Sequence, residues 1–228
     1  MCGRFVQHAA PENYAARYGI AEFGVDTQRR RPGFNVAPTQ SVLVIRVDSA
    51  GRRTLGVLRW GLVPQWSDGP DNRYSMINAR AESVHCKPAY RGAFRRRRCL
   101  IPAEGFYEWQ AGTSGKQPHL MHRTDNRSFT MAGLWETWTP KDQPDTAPLE
   151  SCSIIVTDAN DLMRPVHHRM PVILDTDAHA AWLDPDNSDT DALLALLRPA
   201  AVHGWSLRPV SKAVGSPRND YPGLIAPI

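Results

Sequence analysis

Cysteine at position 2 is the residue whose placement could do the most distinctive chemistry. A small residue after Met1 lets methionine aminopeptidase remove the initiator, and the new terminus would carry an amine and a thiol on adjacent carbons. The α-amine has a pKa of about 7.7–8.0 and the thiol one of about 8.5, so both are partly nucleophilic near neutral pH. An aldehyde that meets the amine forms a Schiff base, and the thiol can then close a five-membered thiazolidine. A cysteine inside the chain cannot do this, because its nitrogen is an amide. Cysteine also occurs at position 2 by chance, so the reading needs other residues to converge on it.

Three further segments hold ionisable or polar groups in unusual company. Gly105-Phe106-Tyr107-Glu108-Trp109 sets a carboxylate among aromatics. Buried, Glu108 would have a raised pKa suited to acid/base work; on an edge strand it would be a solvated side chain. In Val166-His167-His168-Arg169-Met170-Pro171, strict alternation lets one imidazole at most face a given site. Asn78-Ala79-Arg80-Ala81-Glu82 offers an amide and a guanidinium near a strand–helix boundary, or simply starts a helix. No metal or cofactor is expected: Cys2, Cys86, Cys99 and Cys152 lack CxxC spacing, and His119 and His122 have no matching cysteines.

Composition bounds the partners. The 228 residues allow one or two domains, and 42% hydrophobic with 22% charged residues describes a globular chain rather than a disordered one. No apolar run approaches the roughly 18 residues of a membrane span. No apolar segment of the signal-peptide type follows Met1-Cys2-Gly3-Arg4-Phe5, and the scattered cysteines suit a reducing cytoplasm. The net charge of +4 hides an asymmetry: residues 1–100 hold 17 Lys+Arg against 7 Asp+Glu, residues 101–228 hold 10 against 16. Such a concentrated basic excess suits a polyanion. Arginine supplies 23 of the 27 basic residues, which fits phosphate recognition or a GC-rich genome equally. The run from His85 to Leu100, with Lys87, Arg91 and Arg95 through Arg98, is a solvated face or a phosphate-contacting one. In Trp60-Gly61-Leu62-Val63-Pro64-Gln65-Trp66, Trp60 is assigned to the core, and Trp66 is open to either a core or a base-stacking role.

The elements that must position these groups are mostly strands. Ser41–Val47 and Thr54–Trp60 read as a hairpin around Asp48–Arg53. Cys99–Pro102, Phe106–Gln110, His119–Arg123, Phe129–Trp135, Cys152–Thr157, Val172–Leu174 and Trp205–Val210 read as further strands. Helices are expected over Pro11–Tyr18, with Pro11 in the first turn and Gly19 as the stop, and over Ala79–Val84, Pro88–Phe94, Asp177–Leu183 and Asp189–Leu197. Short polar loops are expected at Arg29–Gly33, Ser67–Asn72, Gly112–Gln117 and Pro140–Pro148. The pattern predicts an α+β fold on a strand-rich, twisted or barrel-like, mostly antiparallel sheet with short flanking helices.

Taken in order, Met1-Cys2-Gly3-Arg4-Phe5, Phe34 to Gln40, Trp60-Gly61-Leu62 with Pro64 and Trp66, Asn78 to Glu82, Arg98 to Pro102, Gly105 to Trp109, Ala132 to Trp135 and His167 to Pro171 resemble the SRAP family, the SOS response-associated peptidase or abasic-site processing domains. The resemblance implies one SRAP domain over residues 1–228 and capture of abasic sites in single-stranded DNA as a thiazolidine crosslink at Cys2. It implies proton transfer by Glu108 and His167, orientation by Asn78, phosphate contacts from Arg4, Arg80 and Arg169, and Pro38 and Trp66 shaping or wedging the strand. His168 falls at the variable position of that pattern. The alternative is a cysteine peptidase, autoproteolytic or acting on other proteins, that uses Cys2 with Glu108 and His167. A third possibility is a module that grips single strands without chemistry. A monomer is expected, since one site per chain needs no partner subunit, along with a cytoplasmic, nucleoid-associated location and no membrane. The acidic segment 175–191 is expected to lie away from DNA.

Capture through the residue-2 amine requires loss of Met1. The intact mass of the purified protein is expected to be one methionine residue short of the encoded chain; a retained Met1 would put the amine on the wrong residue.

Overall fold

In chain order, the computed structural model has β1 (Arg4–Gln7), α1 (Pro11–Tyr18), β2 (Glu22–Phe23), α2 (Val25–Gln28), β3 (Gly33–Val36), β4 (Ser41–Val47), β5 (Arg53–Trp60), β6 (Asn78–Arg80), α3 (Arg91–Arg96), β7 (Arg98–Ala103), β8 (Gly105–Gly112), β9 (Gly115–Arg123), β10 (Phe129–Trp138), β11 (Leu149–Asp158), β12 (Arg169–Pro171), β13 (Ile173–Leu174), α4 (His179–Leu183), α5 (Thr190–Ala195) and β14 (Trp205–Pro209). The structure describes residues 2–20, 22–28, 30–70, 76–113 and 115–228; Met1, and Arg29, Asp71, Asn72 and Ser114 within the predicted loops, lie outside the described residues.

Two sheets result. One runs β14-β9-β8-β1-β3 and is antiparallel throughout; the other runs β12-β11-β10-β7-β4-β5-β2, with β6 and β13 added at its side. The expected α+β, strand-rich and mostly antiparallel architecture is what forms. The predicted hairpin is present, with Val47 opposite Arg53 and Ser41 opposite Arg59. Helix α1 has the predicted bounds, and Gly19 ends it in the left-handed region at φ 67°, its N–H bonded to the Ala15 carbonyl.

Two expected helices differ. Ala79–Val84 is not helical: Asn78–Arg80 is a strand parallel to β11, followed by turns. The alanines favour helix locally, but pairing with β11 satisfies the backbone, and Ala81 N–H continues it to Val156 O at 2.9 Å. Alternation then buries Ala79 in one core cluster and turns Asn78 and Arg80 to the other side. The helix expected at Pro88 starts only at Arg91, because turns occupy the segment before it.

Apolar packing falls into three clusters. The one beneath the candidate site holds Cys2, Phe5, Trp60, Phe106 and Ile154. Trp60 is fully buried, as assigned, meets Phe5 edge-on at 5.0 Å between ring centroids, and donates its indole N–H to Ile77 O at 3.0 Å. Gly105 opens the Glu108-bearing strand in a close approach: a Cβ there would lie 2.7 Å from Leu120 Cδ1, forcing that side chain aside, and 3.1 Å from Met121 O.

The carboxyl-terminal segment closes over the other face of β1 and β3. Asn35, 1% exposed, donates from its amide to the carbonyls of Val214, Ser216 and Asn219 and accepts from Arg4. Asp220 Oδ1 accepts from the Phe34 and Asn35 backbone N–H groups. Asn35→Ala leaves these buried carbonyls unsatisfied and is expected to destabilise the fold by about 2–4 kcal/mol, read from a denaturant midpoint.

Candidate functional site

The site grows from the register of β1 against β8. Arg4 lies opposite Tyr107 and Phe5 opposite Phe106, so the residues just ahead of β1 run alongside Glu108. Phe106 faces the cluster that contains Cys2, and alternation puts Glu108 on that same side. Tyr107 points the other way, into the cluster of Val210, Val214 and Leu224, and bonds Phe34 O at 2.7 Å.

Cys2 is fully buried. Its carbonyl accepts a 2.9 Å hydrogen bond from Asn78 Nδ2, and its Sγ lies 4.0 Å from the Arg4 carbonyl. Burial first, and then the negative charge of Glu108, push the thiol well above the ordinary cysteine range. Glu108 is 3% exposed. Burial raises its carboxyl to about 7, against the pull of the positive amino terminus. A carboxyl poised there can both give and take a proton at neutral pH.

Asn78 is held from behind, where Tyr90 donates its hydroxyl to Asn78 O at 3.0 Å. The Asn78 Oδ1 atom is buried and has no hydrogen-bond partner among the described residues. It is an acceptor left for something that arrives. His167 Nδ1 lies 3.0 Å from the Arg169 backbone N–H and 3.2 Å from the Arg169 carbonyl, so the main chain of that residue fixes the ring. Burial, followed by the amino-terminal charge, lowers its pKa. His168 is exposed and stacks on His167 with centroids 4.5 Å apart; both sit ahead of β12, where strand alternation does not apply.

The predicted phosphate ligands divide into three situations. Arg80 is exposed and its guanidinium makes no hydrogen bond with the described residues. Arg4 donates to Asn35 Oδ1, Val214 O and Gly215 O at 2.9–3.3 Å, a scaffold duty that residue type did not reveal. Arg169 forks onto both oxygens of Glu82 at 2.6 and 3.0 Å.

Pro38 is half-buried in a tight turn beside Thr39, a β-branched residue at φ 73°, whose N–H bonds Trp60 O at 2.8 Å. That conformation stores of order 1–3 kcal/mol, which the surrounding packing must hold. Trp66 is 61% exposed. It lines two adjoining open clefts, one of about 550 Å³ with Asn78, Arg80, Lys87 and Tyr90, the other of about 570 Å³ with Arg91, Arg95 and Arg97. Arg98 belongs to neither: it is 2% exposed and donates to the carbonyls of Phe94, Arg95, Trp182, Asp184 and Asn187. Tyr90 and Glu82 went unnoticed as parts of this arrangement, since only the tertiary pairing brings them there. Among the described residues, no group of three or more His, Cys, Asp and Glu could hold a metal ion, and no helix is long and apolar enough to cross a membrane.

A strand-rich α+β scaffold that buries a residue-2 cysteine between an asparagine amide and a near-neutral glutamate defines a distinct class of site. The family model described as SOS response associated peptidase (SRAP) matches residues 1–217, and the chain belongs to that family. The chain is 40% identical to the abasic site processing protein YoqW of Bacillus subtilis over 99% of both chains. It is 36% identical to the abasic site processing protein HMCES of Gallus gallus, over 88% of this chain and 67% of that one. A solved structure of a Bacteroides thetaiotaomicron protein superposes with a TM-score of 0.88 over 100% of both chains at 26% identity.

Because the folded-state carboxyl of Glu108 titrates above its unfolded value, the folded state binds its proton more tightly. Stability contributed by this group falls as pH rises from about 4.5 to about 7 and is flat above that. Glu108→Gln is expected to be more stable than wild type at pH 8, by on the order of 2–3 kcal/mol, and to show no such gain at pH 4. Thermal melts across pH read this directly; an equal gain at both pH values contradicts it.

Proposed function

We propose that the protein processes abasic sites in DNA by covalent capture, with Cys2 as the nucleophile once Met1 is gone. The observation that carries this reading is Cys2 itself: a buried position-2 cysteine whose carbonyl Asn78 grips and whose thiol feels the Glu108 charge. The names of the relatives YoqW and HMCES support the substrate class. The ring-opened deoxyribose presents an aldehyde at C1′. The Cys2 amine adds to it, the carbinolamine loses water to give the imine, and the thiol adds to the imine carbon while its proton passes to nitrogen. One water leaves overall. Glu108 takes the proton from the attacking amine and returns it to the departing hydroxyl. His167 serves as a second acid/base group at the sugar, and the open Asn78 Oδ1 orients amine or sugar.

Single-stranded DNA is the proposed ligand, because Trp66 stands exposed between two arginine-bearing clefts and offers a face for base stacking. Arg80, with its guanidinium uncommitted, is the principal phosphate contact; Arg4 and Arg169 contribute with the donors their protein partners leave over. A monomer in the cytoplasm, associated with the nucleoid when bound, accords with a site built from one chain. The peptidase reading is weaker: burial raises the thiol and lowers the imidazole, the opposite of what a thiolate–imidazolium pair requires.

Incubation with an abasic single strand is expected to give an adduct that survives denaturation, with a mass equal to protein plus DNA less one water. Cys2→Ala and Cys2→Ser both keep the amine but lose the thiol, so their adducts should survive denaturation only after borohydride reduction. An undiminished adduct in Cys2→Ala at the same position would end the thiazolidine reading, and DNA-independent turnover of peptides lost in that variant would favour the peptidase. Arg80→Ala should weaken single-strand binding and lower its log–log salt slope by about 0.7.

A further inference from the structure

The ends of β6 and β12 meet beside the end of β11. Arg80 lies opposite Val156, Arg169 lies opposite Asp158, and Ala81 N–H bonds Val156 O. Across that junction Glu82 takes both terminal nitrogens of Arg169 at 2.6 and 3.0 Å, in a paired fork. The Arg169 side chain is 18% exposed, and Asp158 adds a second carboxylate 3.4 Å from its Nη1. The backbone N–H and carbonyl of the same arginine lie 3.0 and 3.2 Å from His167 Nδ1 and orient the ring. Asn78, which holds Cys2, opens the short strand β6, and Glu82 lies in the turn just past its end, four residues on. The Glu82–Arg169 fork therefore joins the segment that grips the nucleophile to the segment that presents the imidazole.

We propose that Glu82 is a positioning residue for capture, holding Arg169 so that its main chain fixes the ring of His167. This rests on the covalent-capture reading above. The carboxylate and a DNA phosphate also compete for one guanidinium fork. Glu82 keeps Arg169 employed as a strut, and half of its own side chain faces solvent on the side of Arg80. Removing it would free a cation for phosphate while loosening the imidazole. Binding and chemistry should then move in opposite directions, which simple unfolding cannot produce.

The test compares wild type, Glu82→Ala, Glu82→Gln and the reciprocal exchange Glu82→Arg with Arg169→Glu. Affinity for an intact single strand is measured against salt, and the capture rate at saturating abasic strand is measured separately. Glu82→Ala is expected to bind the intact strand several-fold more tightly, with a salt slope steeper by about 0.7. Its saturating rate should fall about 10- to 100-fold, as for a group displaced by a fraction of an ångström. Glu82→Gln should lie between, and the exchange should restore a large part of the rate. In nitrogen NMR, His167 should hold a single tautomer in wild type and lose that preference in Glu82→Ala. An unchanged rate and tautomer in Glu82→Ala overturn the proposal, as does a parallel loss of affinity and rate that the exchange does not restore. Absence of an adduct from wild type would instead sink covalent capture, and the His167 tautomer would still decide the role of Glu82.

Discussion

The amino-terminal strand is an interior strand. With β8 on one side and β3 on the other, β1 has both backbone edges paired, and the residues ahead of it enter the protein rather than trail from it. Ordinarily a terminus frays, because little holds its first residues. Here the Asn78 amide, the packing around Phe5 and Trp60, and the Glu108 strand all converge on residue 2. Glycine at 105 lets β8 approach β9 closely, the Trp60 indole bonds Ile77 just ahead of the Asn78 strand, and the buried Asn35 ties β3 to the carboxyl-terminal segment.

Electrostatically, the interior of the site favours neutral groups. Burial raises the Cys2 thiol and the Glu108 carboxyl and lowers the His167 imidazole, so each shift moves its group toward the uncharged form. Protons can move among such groups with little reorganisation of charge. The cations stand around the rim, at Arg80, Lys87, Arg91 and Arg95 beside Trp66. The basic excess of the first hundred residues is thus only partly a surface property. Arg98 is sealed inside on carbonyl groups, Arg97 and Arg46 are paired with Glu136 and Glu150, and Arg4 is tied to the carboxyl-terminal segment.

Much of the fold could be read directly. The Ser41–Val47 and Thr54–Trp60 runs carry β-branched residues around a turn, and Pro11 and Gly19 punctuate α1, so local chemistry and tertiary structure agree there. Ala79–Val84 looks helical because its alanines speak only of local preference, whereas the parallel partner that claims the backbone at its start is β11, some 75 residues away. The candidate residues Cys2, Asn78, Glu108 and His167 were legible through residue type and motif. What the arginines do was not. A guanidinium looks the same in sequence whether it meets solvent, a carbonyl or a carboxylate, and only the fold distinguishes Arg80 from Arg98 and Arg169. The tail was equally silent, since its contribution lies in backbone carbonyls offered to Asn35 and Arg4, and carbonyls have no residue signature.

That tail also sets an order in time. Arg4 and the Val214 carbonyl that receives it are 210 residues apart in sequence. At about 5–20 residues per second, ribosomal synthesis leaves the first strand without its clamp for roughly 10–40 s after it emerges. The last strokes of translation then draw the tail across β3 and clamp that strand. The protein's own length acts as the delay between making its first strand and locking it.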